Sequence, residues 1–277
     1  MVTMPGKLAG KVALISGVAR GQGRSHAVRL AEEGADIIGF DLCAQMATVP
    51  YALASPEDLE ETIREVEKLG RRIVARQADV RDPAAIAAVV AEGVAEFGRI
   101  DIVLANAGIA PMSARDDDPA AQFLDTVAVN LAGAYHTGKA AIPTMIEQGR
   151  GGAIVLTSST QGLSGRGGNG TGAQDGYTAS KHGVVGLMRT WANWLAPHHI
   201  RVNTVHPTGV ATPMVENEVI AEYLEATPGA AEIVANLLPV PVIEPRDISN
   251  AVAWLVSDDA RYVTGVALPV DAGFIAK

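Results

Sequence analysis

Residues 12–30, VALISGVARGQGRSHAVRL, constrain the fold of this chain more than any other stretch. Val12–Ser16 is a short apolar run, the composition of a strand buried on both faces. Gly17, Gly21 and Gly23 follow, and Ala27, Val28, Leu30 and Ala31 then supply the apolar side of a helix. Strand, glycine-rich turn and helix in this order form a corner suited to a dinucleotide. A Cβ would hold the backbone away from a pyrophosphate. The helix start offers that phosphate unpaired N–H groups and the positive end of a dipole. An ordinary turn between strand and helix can also carry three glycines, so the rest of the chain has to decide.

The pattern recurs. Residues 37–40, 72–77, 102–105, 153–157, 201–205 and 266–270 read as further short strands, with helical stretches between them at 56–69, 84–97, 119–148, 177–196 and 247–258. Repeated strand–helix units imply right-handed crossovers and a parallel sheet. The 277 residues, 48% of them hydrophobic, are enough for one large α/β domain. The expectation is a single Rossmann-type domain over residues 1–277: a doubly wound parallel sheet of about seven strands with helices on both faces. Residues 1–10 read as a flexible lead-in. The 119–148 stretch should bend at Pro143, with Asn130 inside it as either a packing detail or a functional kink.

Two interruptions of the pattern matter. Asp41 closes the second strand where an adenosine ribose would lie. Its carboxylate can accept from both ribose hydroxyls and would repel a 2'-phosphate, which favours NAD over NADP; a plain turn residue is the other reading. Residues 42–54 then form a loop longer than the usual connection, with Leu42, Met46, Val49, Tyr51 and Leu53 as its apolar content, before Ser55, Pro56 and Asp58 open the next helix. Later, residues 162–176 form a glycine-crowded loop, a surface turn or a wall of a substrate site. Residues 211–245, with several prolines and short helical runs at 215–224 and 230–238, are the natural lid over a pocket at the C-terminal edge of the sheet.

Charge and composition exclude several classes. The net charge is −9 with no basic cluster, which argues against a nucleic-acid or anionic-membrane surface. Cys43 is the one cysteine, so no internal disulfide or thiolate metal site can form. The six histidines show no ligand spacing, and no metal is expected. No signal peptide and no membrane-spanning run is recognisable, so a cytoplasmic protein is the expectation.

The chemistry concentrates in Ser159, Tyr177 and Lys181. Residues four apart share a helix face, which places the lysine beside the tyrosine. Oxidising an alcohol needs a base for the hydroxyl proton, and an ammonium next to a phenol favours the phenolate. Together with Asn130 and the Gly-x-x-x-Gly-x-Gly corner, these residues resemble the short-chain dehydrogenase/reductase family over nearly the whole chain. The resemblance implies a catalytic set of Asn130, Ser159, Tyr177 and Lys181. It further implies NAD held by Gly17, Arg20, Gly21, Gln22, Gly23, Asp41, Leu42, Asp79, Val80, Asn106, Ala107, Gly108, Tyr177, Lys181, Pro207, Gly209, Val210, Thr212 and Met214. Tyr177 follows Ser159 at more than the family's usual spacing, with the extra residues in the glycine-rich loop. That leaves Ser158 as the alternative to Ser159, and the motif's use of the second serine favours Ser159.

A narrower resemblance, carried by GQGRSHAVRLAEEGADI, DLCAQ and the loop after Asp41, is to the actinobacterial carveol dehydrogenase and mycofactocin-coupled subgroup. It implies oxidation of a small apolar secondary alcohol to a ketone, NAD retained under the 42–54 loop, and an external, mycofactocin-like redox carrier. A conventional ketone reductase or sugar or steroid dehydrogenase with exchangeable NAD is the other enzymatic reading, and a nucleotide-sensing relative the non-enzymatic one. Met112, Leu163, Met214, Val215 and Tyr223 are candidates for an apolar pocket. A homotetramer is expected, with Trp191 and Trp194 offering apolar surface for one of its contacts.

Overall fold

The computed structural model describes residues 6–113, 117–227 and 229–277; residues 1–5 of the expected lead-in and Pro228 of the expected lid lie outside these. Seven strands, β1 (Val12–Ser16), β2 (Asp36–Asp41), β3 (Ile73–Gln77), β4 (Ile102–Ala105), β5 (Gly152–Thr157), β6 (Ile200–Pro207) and β7 (Ala267–Val270), pair in parallel in the order 3-2-1-4-5-6-7. This is the doubly wound sheet expected from the alternating pattern. The order reverses between β1 and β4, and a crevice opens there beyond their C-terminal ends. Every residue of β1 and β4 is buried, as continuous apolar runs require when helices cover both faces. One core packs Leu14, Ile38, Val103 and Ile154 under one helical layer, and a second packs Ile15, Ile37, Leu104 and Val155 under the other.

The helices are α1 (Gly21–Glu32), α2 (Pro56–Lys68), α3 (Pro83–Phe97), α4 (Pro119–Val127), α5 (Gly133–Gln148), α6 (Gly172–Leu195), α7 (Glu218–Ala226), α8 (Ala230–Val234) and α9 (Pro245–Val256). Side chains cap most of the longer ones. Ser55 and Asp58 form a reciprocal box on α2, while Asp82, Asp118, Thr171 and Asn217 accept from the first turns of α3, α4, α6 and α7. On α1, Arg20 stands at the cap position and gives no such bond, so that helix opens with its N–H groups unclaimed by a side chain.

Three expectations are corrected. The 119–148 stretch is not one helix with its break at Pro143. A π-helical turn, Ala128–Ala132, interrupts it between α4 and α5, and Pro143 lies inside α5. The cause is Asn130, whose buried amide takes its partners from Ile109 on a neighbouring segment. The glycine-rich loop is shorter than 162–176, because Thr171 starts α6 at Gly172 and Tyr177 is already a turn inside it. Trp191 is buried within the chain, lying so close to Gly138 that a Cβ there would meet its ring at 2.3 Å. Of the two tryptophans, only Trp194, 42% exposed, remains for a subunit contact.

Candidate active site

The crevice at the β1/β4 switch point divides into two connected cavities. The first is lined by Gly17, Arg20, Gly21, Gln22, Gly23, Asp41, Leu42, Asp79, Val80, Asn106, Ala107, Gly108, Thr212 and Met214. The second, sharing Gln22, Asn106, Gly108, Thr212 and Met214 with the first, is lined by Ser159, Tyr177, Lys181, Pro207 and Val210. Of the residues implied by the family resemblance, Gly209 and Asn130 line neither cavity. Gly209 sits in the backbone turn that accepts from Ile243, and Asn130 lies behind the wall.

The first cavity is built around the uncapped start of α1. Gly23 packs so tightly against the turn that a Cβ would fall 1.8 Å from the Gly17 carbonyl oxygen. Gly17 itself has φ +69°, which favours glycine. Asp41 accepts from the N–H of Ala19 at 3.0 Å and of Cys43 at 3.4 Å, leaving lone pairs of both oxygens toward the crevice. Burial pushes its carboxyl above the ordinary range, partly opposed by those N–H groups. Asp79 is gripped by Arg81, with Nη2 2.7 Å from Oδ2. Burial pushes this carboxyl up, but the Arg81 bonds together outweigh burial and hold it low. Arg81 also reaches Asp125 at 3.2 Å.

The 42–54 segment is an ordered wall of this cavity. Met46, Val49 and Tyr51 are buried in the main core, and Leu42, Met46, Tyr51, Leu53 and Ala54 face the crevice. One side chain staples it. Gln45 Nε2 donates to the carbonyls of Met46, Val49 and Tyr51 at 3.2, 2.8 and 3.1 Å, and its Oε1 accepts from Leu53 N at 3.0 Å. Outward contacts fasten it: Tyr51 Oη accepts from Ala110 N at 3.1 Å, Thr48 donates to Asp125 at 2.7 Å, Arg20 donates to the Ala52 carbonyl at 2.5 Å, and Gln77 donates to the Leu42 carbonyl at 2.9 Å.

In the second cavity the last residue of β5 and the two that follow it are each tied differently. The Thr157 carbonyl accepts from Lys181 Nζ at 2.9 Å, Ser158 Oγ donates to the Lys181 carbonyl at 2.9 Å, and Ser159 Oγ accepts from Gln161 N at 3.2 Å while its hydroxyl acts on the Tyr177 phenol. Ser158 therefore braces α6, and Ser159 is the serine that meets the tyrosine. Lys181 Nζ lies 5.5 Å from the Tyr177 ring centre. A Cβ on Gly108 would fall 3.3 Å from Asn130 Oδ1 and 3.6 Å from Lys181 Nζ, so these three converge behind the pocket. Burial pushes the Tyr177 phenol up, and the Ser159 bond offsets part of that. Burial also drops the Lys181 ammonium to about 8. Met214 and Val215 supply apolar wall as expected. Leu163 is part-exposed, and Tyr223 accepts from Asn169.

Gln45, Arg81 and His206 are structural partners of the site that sequence reasoning missed. A glutamine inside an irregular loop, an arginine two residues after Asp79, and a histidine ending an apolar strand were the only signals. Among the described residues no cluster of histidine, cysteine or carboxylates could hold a metal ion, and no helix is long and apolar enough to cross a membrane.

Known proteins share this arrangement. A family model described as enoyl-(acyl carrier protein) reductase matches residues 17–275. The (-)-trans-carveol dehydrogenase of Rhodococcus erythropolis is 47% identical over 98% of this chain and 99% of its own. An uncharacterized oxidoreductase of Mycobacterium tuberculosis is 57% identical over 98% of both chains. The crystal structure of carveol dehydrogenase from Mycobacterium avium in complex with NAD superposes with a TM-score of 0.91 at 47% identity, covering 98% of this chain and 100% of that one. The chain belongs to the short-chain dehydrogenase/reductase family.

Proposed function

We propose that this protein is an NAD-dependent short-chain alcohol dehydrogenase that oxidises a small apolar secondary alcohol, of the cyclic, carveol-like class, to the ketone. The observation that carries the reading is the convergence of Ser159, Tyr177 and Lys181 in a pocket that opens directly into the glycine-cornered crevice. NAD fits that crevice. The α1 N–H groups left uncapped suit its pyrophosphate, Asp41 suits the ribose hydroxyls, and Gln22 Oε1 is a buried acceptor without a partner. When bound, NAD supplies the hydride acceptor. The relatives that are carveol dehydrogenases, one of them solved with NAD, support the same choice.

The residues then divide the work. Ser159 donates to the substrate oxygen and holds it against Tyr177. Tyr177, as phenolate, takes the hydroxyl proton. Lys181 remains largely cationic at neutral pH, because its lowered value near 8 still lies above it, and so favours the phenolate. Asn130 clamps Ile109 N and O, both at 2.8 Å, and fixes the wall behind Lys181. Met214 and Val215 give the pocket apolar faces, and the segment over 211–245 acts as its lid.

The 42–54 cover retains the cofactor, and reoxidation is carried out by an external, mycofactocin-like carrier. The support is its placement over the crevice and its stapling by Gln45. The protein is cytoplasmic and assembles as a homotetramer through the α4–α5–α6 face, where Leu124, Tyr135 and Trp194 are exposed. Tyr177→Phe tests the chemistry. It should lower turnover of carveol by about a thousandfold or more while NAD affinity is retained. Comparable turnover in that variant would remove Tyr177 as the base.

A further inference from the structure

We infer that His206 is a positioning residue for the reaction, holding the Ser159 backbone so that the serine hydroxyl meets Tyr177. The inference rests on the reading of Ser159 and Tyr177 proposed above.

The geometry is closed on both sides of the ring. His206 is fully buried on β6, next to the end of β5. Its Nδ1 lies 2.7 Å from the Ser159 carbonyl oxygen. A carbonyl only accepts, so Nδ1 carries the proton. Nε2 is then a lone pair, and the Thr204 hydroxyl, 2.8 Å away, donates to it. Thr204 and His206 are two apart on a strand and share a face, so β6 presents the ring and its tautomer lock together.

The contact falls where α6 gives no support. Lys181 holds Thr157 through its ammonium and Ser158 through its carbonyl, while the Ser159 carbonyl accepts from Gly162 N at 2.9 Å and, across the sheet, from His206. Without the His206 N–H the carbonyl would keep its bond from Gly162 N at 2.9 Å, but its second acceptor position would be buried and empty, and residue 159 would lose the contact that ties it to β6. Ser159 Oγ accepts from Gln161 N at 3.2 Å and shares the cavity with Tyr177, so a small rotation of residue 159 turns the hydroxyl away from the tyrosine.

His206 is not an imidazolium at neutral pH and so is no general acid there. Burial lowers it to about 4, and the Lys181 and His182 charges act in the same direction, against the Ser159 carbonyl and Asp271. Between about pH 4 and 8 it is neutral while Lys181 is cationic, which separates a positioning role from acid–base work.

The test uses full-length protein loaded with NAD and the secondary alcohol, carveol or another cyclic alcohol, that the wild type oxidises fastest. His206→Leu removes the donor, and His206→Asn keeps an N–H near the Nδ1 position. Thr204→Val removes the tautomer lock without touching Ser159. Single-turnover reduction should fall about thirtyfold in the leucine variant, with KM and NAD affinity within about twofold of wild type. The asparagine variant should recover most of that rate, and Thr204→Val should lose about threefold. Equal impairment by leucine and asparagine would overturn the inference in favour of mere packing, and so would wild-type rates in both. If the leucine variant does not fold, an unchanged rate in Thr204→Val overturns it. Nitrogen-15 spectra of the imidazole need no substrate: an Nε2–H tautomer or a charged ring at pH 7 would also overturn it. Ser159→Ala separates the two readings. Full activity there defeats the role of Ser159 itself, whereas a dead Ser159→Ala beside a fully active His206→Leu defeats only the inference about His206.

Discussion

Removing one oxygen from the 42–54 cover should set the cofactor free. Tyr51 is 4% exposed, and its hydroxyl accepts from Ala110 N at 3.1 Å. Tyr51→Phe keeps the ring and its apolar burial but leaves that N–H unpaired whenever the cover is closed. In the open state water satisfies it. The closed state therefore loses about 1–3 kcal/mol relative to the open one. At about 1.4 kcal/mol per factor of ten, opening becomes about five- to 150-fold more frequent. Where opening precedes cofactor escape, the exchange rate rises by the same factor. Gln45→Ala removes the staple of four hydrogen bonds and should accelerate exchange further. The assay mixes NAD-loaded protein with an excess of isotopically labelled NAD and follows the bound pool by mass spectrometry. Slow exchange in wild type with an unchanged rate in Tyr51→Phe would refute the latch. Exchange within about seconds in wild type, with steady turnover on free NAD, would refute retention altogether and leave an ordinary exchanging dehydrogenase.

Three further outcomes are expected. Asp41→Ala should weaken NAD binding by about 2–4 kcal/mol and narrow the preference over NADP, read by calorimetric titration with each cofactor; an unchanged ratio would place the ribose elsewhere. His26 and His206 are buried and neutral, lowered from 6.5 to about 4, so the unfolded chain binds more protons between those values. Their contribution is complete above pH 6.5 and is lost as pH falls toward 4, about 3 kcal/mol each, and His26→Gln should flatten the acid side of the urea-denaturation profile. Native mass spectrometry should find a tetramer, and charging the exposed face with Trp194→Glu should shift it toward smaller species; a monomeric wild type at micromolar concentration would contradict the assembly.

The sheet was legible because its requirements are local. Short apolar runs with helical spacing between them gave all seven strands to within a residue or two, and the glycine corner needed only Gly17, Gly21 and Gly23 in order. Asp41 was legible for the same reason: a carboxylate at a strand end has one place to point. The failures are non-local. Asn130 breaks the 119–148 helix through partners on Ile109, a contact no helical period reveals. The stripe of Trp191 and Trp194 read as core or subunit contact, because helical spacing does not say what faces it; Gly138 on α5 leaves Trp191 a slot in the core. His206 looked like the last residue of an apolar strand, since Ser159 reaches it only when β5 and β6 are paired.

The segment from Ile109 to Ala110 explains how a long loop after Asp41 can be tolerated beside a catalytic centre. Ordering such a loop costs about 1–2 kcal/mol of backbone entropy per residue. Burying Met46, Val49 and Tyr51 returns about 1.5–3 kcal/mol each, which offsets only part of that. Polar contacts add to this: Gln45 inside the loop, and Tyr51, Thr48, Arg20 and Gln77 tying it to the surrounding chain. Asn130 already holds the adjacent Ile109 through both its N–H and its carbonyl. The cover therefore closes onto backbone that the π-helical turn has fixed for another purpose, and its anchor requires no further ordering. The proposed retention would then depend on the integrity of the wall behind Lys181: whatever loosens Ile109 should loosen the cover as well.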